Sequence, residues 1–179
     1  MQSIAKNDFP FNARLKKAGA LLAVALLLSF QGNAAVAEKG EIPTTFGSII
    51  GPALLCVDQI DPFYYWSYMN QFFGPPYKRE GGAYWFKVTT TLWGANITDV
   101  LVSDGENQQV FLAASFEGNP AKLADAILAS TGIQHLIEGS FQYSPLRSSV
   151  GSKIIYFNNN SKIYCSKYNL DYIRQHLRH

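Results

Sequence analysis

The chain has 179 residues, 47% apolar, 14% aromatic and 16% charged, a balance that excludes disorder and predicts one layered domain around a real core. The formal charge of +2 resides at the front: residues 1–37 hold four of the 15 bases and one of the 13 acids. The remaining 11 bases and 12 acids give a net charge of −1, which excludes the basic footprint of a nucleic-acid binder.

Lys6, Arg14, Lys16 and Lys17 precede a Leu/Ala-rich run from Ala18 to Phe30, and Ala35-Val36-Ala37 forms a small-x-small cleavage site before Glu38. Residues 1–37 thus read as a Sec-type signal peptide cleaved after Ala37, with a periplasmic or secreted product. Gln31, Gly32 and Asn33 interrupt the run, leaving it short for an uncleaved membrane anchor. No later segment approaches membrane-spanning length. In such a compartment the two cysteines, Cys56 and Cys165, are expected to form one structural disulfide. Closing a loop of about 110 residues stabilises a fold by on the order of 4 to 5 kcal/mol in the loop-entropy picture.

After an N-terminal segment, 38–56, the chain shows self-similarity at an offset of 58 residues: Asp61-Pro62 matches Asn119-Pro120, Gly74 matches Gly132, and Glu80-Gly81 matches Glu138-Gly139. Asp or Asn followed by Pro is a helix start, because the side chain caps free N–H groups and Pro lacks the one that would go unpaired. Gly about twelve residues on is a stop. Aromatic strands are predicted at Ala83–Trp93, Thr98–Ser103 and Gln109–Phe116, and again at Phe141–Ser144, Lys153–Asn158 and Lys162–Tyr168, the last pair joined through Asn158-Asn159-Asn160-Ser161. The reading is α+β: two tandem helix-plus-three-strand antiparallel units, 57–116 and 117–168, with the helices on one face of the sheet, and a C-terminal helix and tail, 169–179.

A helix, then Phe73-Gly74-Pro75-Pro76, then an aromatic antiparallel meander, all in tandem, resembles the layout of secreted β-lactamase-inhibitor proteins and is similar to that of small outer-membrane-assembly lipoproteins. No lipid-bearing Cys matches the latter. The resemblance implies a non-enzymatic protein that binds another protein across an exposed sheet face.

Helical spacing places Leu123, Ala124, Ile127, Leu128 and Thr131 on the buried side of the second helix, and Tyr65, Trp66, Met69, Asn70 and Phe73 on that of the first. Tyr64, Tyr68 and Phe72 form a separate i, i+4, i+8 row. It reads either as an aromatic binding edge or as packing for the N-terminal segment. Cys165 must lie beside Cys56 and the helices, and so orients the strands. Ile163, Ile155, Phe157, Leu112, Val100, Val102, Tyr84, Phe86 and Val88 are expected toward the helices. The other face then carries Trp85, Lys87, Trp93, Leu101, Phe111, Tyr143, Tyr156 and Tyr164, more aromatic surface than water-facing sheet needs. Its cover is expected to be either residues 38–55, with Phe46, Ile49, Ile50 and Leu54, or a partner. Pro75, Pro76, Tyr77, Lys78 and Arg79 form a rigid basic loop suited to the tip of such a contact.

Catalytic patterns are sparse. His135 is expected on a surface connector, and His176 and His179 lie in or near the C-terminal helix, so no metal site and no cofactor are expected. Gly47-Ser48-Ile49-Ile50-Gly51 lacks the Gly-x-Ser-x-Gly spacing of a nucleophile elbow and reads as loop. Glu80 and Glu138 would serve as a glycosidase pair only if the two units placed them across one cleft. The leading expectation is a non-enzymatic envelope or extracellular protein-binding module of inhibitor, immunity or assembly type, with no nucleic-acid partner and with self-association through the aromatic face as one form. The alternatives are a carrier holding a small apolar ligand between that face and the N-terminal segment, and a glycan hydrolase using Glu80 and Glu138.

Overall fold

A computed structural model describes residues 42–141 and 143–176. The expected signal peptide, residues 1–37, lies outside them. The first element is a helix, α1 (Phe46–Leu54), where the sequence predicts loop around Ser48. Gly47, Gly51 and Pro52 argue against helix locally, but tertiary packing decides. A Cβ on Gly47 or Gly51 would sit 3.8 Å from Leu92, and one on Gly51 also 3.7 Å from Trp93, so glycines one turn apart let the helix lie close against those side chains. Ser48 rides on this helix with its hydroxyl donating to the Thr45 carbonyl.

The helices α2 (Pro62–Phe73) and α3 (Pro120–Thr131) start and stop as their caps predict. Asp61 Oδ1 accepts from the N–H groups of Phe63 and Tyr64, Asn119 Oδ1 accepts from that of Lys122, and Gly132 closes α3 at φ 75°. Four strands, not three, follow each helix: β1 (Lys78–Glu80), β2 (Ala83–Leu92), β3 (Ala95–Ser103) and β4 (Gln109–Phe116) after α2, then β5 (His135–Ile137), β6 (Leu146–Ser148), β7 (Lys153–Phe157) and β8 (Asn160–Tyr168) after α3. Of the expected strand at 141–144, the described residues Phe141, Tyr143 and Ser144 form none, and Tyr143 lies in the loop before β6. A last helix, α4, spans Leu170–His176.

All eight strands form one antiparallel sheet in the order β1-β2-β3-β4-β8-β7-β6-β5. The four strands after each helix meet at β4 and β8, which pair without a register shift from Gln109↔Tyr168 to Phe116↔Ser161. The main core joins α1, α2 and α3 to one sheet face, through Ile50, Leu54, Met69, Leu123 and Ile127 against Phe86, Val100, Val102, Leu112, Ile154 and Ile163. Burying side chains of this kind stabilises by roughly 1.5 to 3 kcal/mol each. Leu128 and Thr131, expected in this core, are exposed on α3. Cys56 and Cys165 are disulfide-bonded, their Cα atoms 5.2 Å apart, at the helix side of β8.

The orientation expected from that bond holds for β2, β3, β4 and β8 but fails for β7. Asn158 and Asn159 (φ 47° and 63°) make a two-residue hairpin turn, so Phe157 pairs with Asn160 and Ile154 with Ile163. Ile154 therefore enters the core, while Ile155 and Phe157 face away. Residues paired across a hairpin share a face, so any turn with an even number of residues puts Ile154 and Tyr156, not Ile155 and Phe157, on the side of Ile163.

Candidate functional site

On the face away from the helices, Ala83, Leu101 and Ala113 form a second buried cluster, with Trp85, Phe111 and Tyr164 packed against it. Neighbouring strands supply these side chains at aligned positions: Trp85 opposes Leu101 directly, Leu101 opposes Ala113, and Ala113 opposes Tyr164. They floor an open concavity of about 620 Å³ walled by Lys78, Glu80, Gln109, Phe157 and Lys162. No helical residue belongs to this cluster. The described part of the N-terminal segment lies in the opposite core, so residues 42–55 do not cover the face.

Four of the eight expected face residues thus come together: Trp85, Leu101, Phe111 and Tyr164. Lys87 lies on the same face and is bound to Asp99 at 2.9 Å. Trp93 is a correction. It occupies the β2–β3 turn at φ 55° and stacks on Phe116 at the helix side, with ring centroids 5.9 Å apart. Tyr143 and Tyr156 are also displaced. They meet each other, centroids 5.6 Å apart, in a pocket shared with Pro120 and Ala121 at the start of α3.

The α2 row divides. Tyr68 is buried and its hydroxyl lies 3.3 Å from Thr45 Oγ1, which favours packing against the N-terminal segment, while Tyr64 and Phe72 stay exposed. The expected basic loop is shorter than 75–79, because Lys78 and Arg79 belong to β1 and point to opposite faces. Lys78 lies 3.9 Å above the Trp85 ring, whereas Arg79 binds Asp104 and Glu106 at the β3–β4 turn. Pro75 and Pro76 lead into the strand, and Tyr77 donates its hydroxyl to Asp99 Oδ1 at 2.9 Å.

Asp99, within β3, is a buried carboxylate. Burial alone would push its pKa up, but hydrogen bonds from Lys87, Thr98 and Tyr77 together hold it below the usual carboxylate value. Desolvation and the Asp99 hydrogen bond push the Tyr77 phenol up to about 12.

His135 is also a correction. It is buried, and its Nε2 lies 2.9 Å from Ser152 Oγ, which in turn lies 2.8 Å from Ser148 Oγ. Burial lowers its pKa, opposed by a backbone contact with Ile133. Ser152 is fully buried, so this pair has no access to substrate. Three residues of β5 offer too little alternation for sequence reading to find it.

Glu80 and Glu138 lie at opposite edges of the eight-stranded sheet. Seven strand spacings separate β1 from β5, on the order of 30 Å along the sheet, against the roughly 5 to 9.5 Å of paired glycosidase carboxylates. Each is instead an exposed ion-pair partner, Glu80 with Lys78 and Glu138 with Arg147 and Lys153, and each has its pKa lowered by those bonds. Among the described residues no group of three His, Cys, Asp or Glu side chains is placed to hold a metal, and no helix is long and apolar enough to cross a membrane. Comparison with protein-family models, curated proteins and solved structures finds no match to this chain.

Proposed function

We propose that the chain is a non-enzymatic module, exported to an oxidising compartment, that binds a protein partner across the sheet face opposite its helices, as an inhibitor, immunity or envelope-assembly protein would. The observation that carries this reading is the aromatic concavity around Trp85, Phe111 and Tyr164, which no described residue covers. Tyr and Trp are enriched at protein-binding hot spots, and a concave, partly apolar surface excludes water on contact. The two-unit reading adds support, since a sheet assembled from two four-stranded halves presents one continuous face.

The test is cross-linking capture from envelope extract by the full chain, beside a Trp85→Ala chain of equal melting temperature, with sedimentation and native mass spectrometry of the bait alone. A partner held by the parent and lost by the variant supports the reading. A partner held equally by both overturns it. A small ligand retained on the bare chain favours the carrier, and a Trp85-dependent dimer identifies the partner as a second copy.

A further inference from the structure

We propose that the concavity receives one carboxylate from a loop of the protein partner, gripped by the ammonium group of Lys162 beside Lys78 above the Trp85 ring. This rests on the face-binding reading and adds the chemistry of what the face holds. The other cations of the face are neutralised within the chain: Lys78 by Glu80 at 2.8 Å, Lys87 by Asp99 at 2.9 Å, and Arg147 and Lys153 by Glu138 at 2.8 and 3.2 Å. Lys162 has no carboxylate within ion-pair distance among the described residues. It is held instead by aromatic rings, its Nζ 3.6 Å from the centre of Phe157 and 4.8 Å from that of Trp85.

A half-buried ammonium with unpaired donors is costly in the free protein and strong in a complex, because an incoming anion meets N–H groups already stripped of part of their water. Desolvation accordingly lowers the basicity of Lys162; Asp99 opposes this and Lys78 adds to it. A single acid set among apolar neighbours fits better than a polyanion. The floor includes Leu101, Phe111 and Tyr164, and Glu80 at the rim would repel a phosphate chain or acidic glycan laid across it. The volume of about 620 Å³ lies within the range of sites that enclose inserted groups.

The test uses the full-length chain, disulfide intact, as bait for a displayed library of disulfide-closed peptide loops, counter-selected against the Trp85→Ala chain. The surviving loops are expected to share an Asp or Glu at one position. Exchanging that acid for its amide should weaken binding by about tenfold or more, as should Lys162→Met, while Lys122→Met, exposed on α3 away from this face, changes it less than about twofold. Lys162→Met keeps the apolar stem between the rings, and the acid-to-amide exchange reads the same contact without altering the chain. Loops that need Trp85 but ignore both changes overturn the carboxylate grip and leave the face as a binding surface. A library that yields no Trp85-dependent loop overturns both.

Discussion

His135 shows how one buried side chain ties this fold to pH. Its folded pKa lies below the unfolded value of about 6.5 because burial disfavours the imidazolium and no carboxylate faces the ring among its hydrogen-bond partners. Between the two values the unfolded chain carries a proton that the folded chain lacks. Acidification through that window therefore drives unfolding: the contribution is complete above the unfolded value and is lost as pH falls toward the folded one. Glu80, Asp99 and Glu138 are all lowered from the ordinary carboxylate value and stay ionised in the folded chain between pH 7 and pH 5. The melting temperature should fall between pH 7 and pH 5, and a His135→Gln chain, whose amide can still reach Ser152, should show a flatter slope. Equal slopes in the two chains would remove His135 from the account.

At the scale of elements, the end of α1 places a cysteine where a glycine is usual. Cys56 has φ 63°, its N–H donates to the Ala53 carbonyl, and the N–H of Val57 donates to that of Pro52, which together make a Schellman stop. A residue with a Cβ costs roughly 1 to 2 kcal/mol in that conformation. Two chains that both lack the disulfide isolate this term: Cys56→Gly/Cys165→Ala should be more stable than Cys56→Ala/Cys165→Ala by about 1 kcal/mol in urea unfolding. Equal midpoints would mean the turn relaxes once the bond is gone. Elements of this kind divide sharply in how far sequence reveals them. The caps of α2 and α3, the disulfide and the inward faces of β2, β3, β4 and β8 are written in local chemistry and long alternating runs. In β1, β5 and β6, three residues each, alternation carries no signal, and four consecutive turn formers at 158–161 do not say which two make the turn. The face lost Trp93 and Tyr143 because each sits in a turn or loop, where side-chain direction follows loop geometry, and it lost Tyr156 because strand parity puts that residue on the side of Ile154 and Ile163.

Over the whole molecule, the disulfide and the candidate binding face act on opposite sides of one strand. Cys165 points toward the helices and reaches Cys56 at the end of α1, while Tyr164 lies on the uncovered face. The bond closes a loop between residues 109 apart, and its loss should cost roughly 2 to 5 kcal/mol through the freedom gained by the unfolded chain. In the folded state β8 does not depend on it for position. β4 holds the strand on one side from Gln109 to Phe116, β7 holds it on the other, and Ile163 stays buried between them and the helices. The Cys56→Ala/Cys165→Ala chain should therefore melt at lower temperature yet keep the Trp85 concavity, so that its affinity for a Trp85-dependent loop at 20 °C stays within about twofold of the parent. A large loss of affinity in a chain still folded by circular dichroism would show that the bond sets the register of β8, and that the binding face is assembled from the helix side through the sheet.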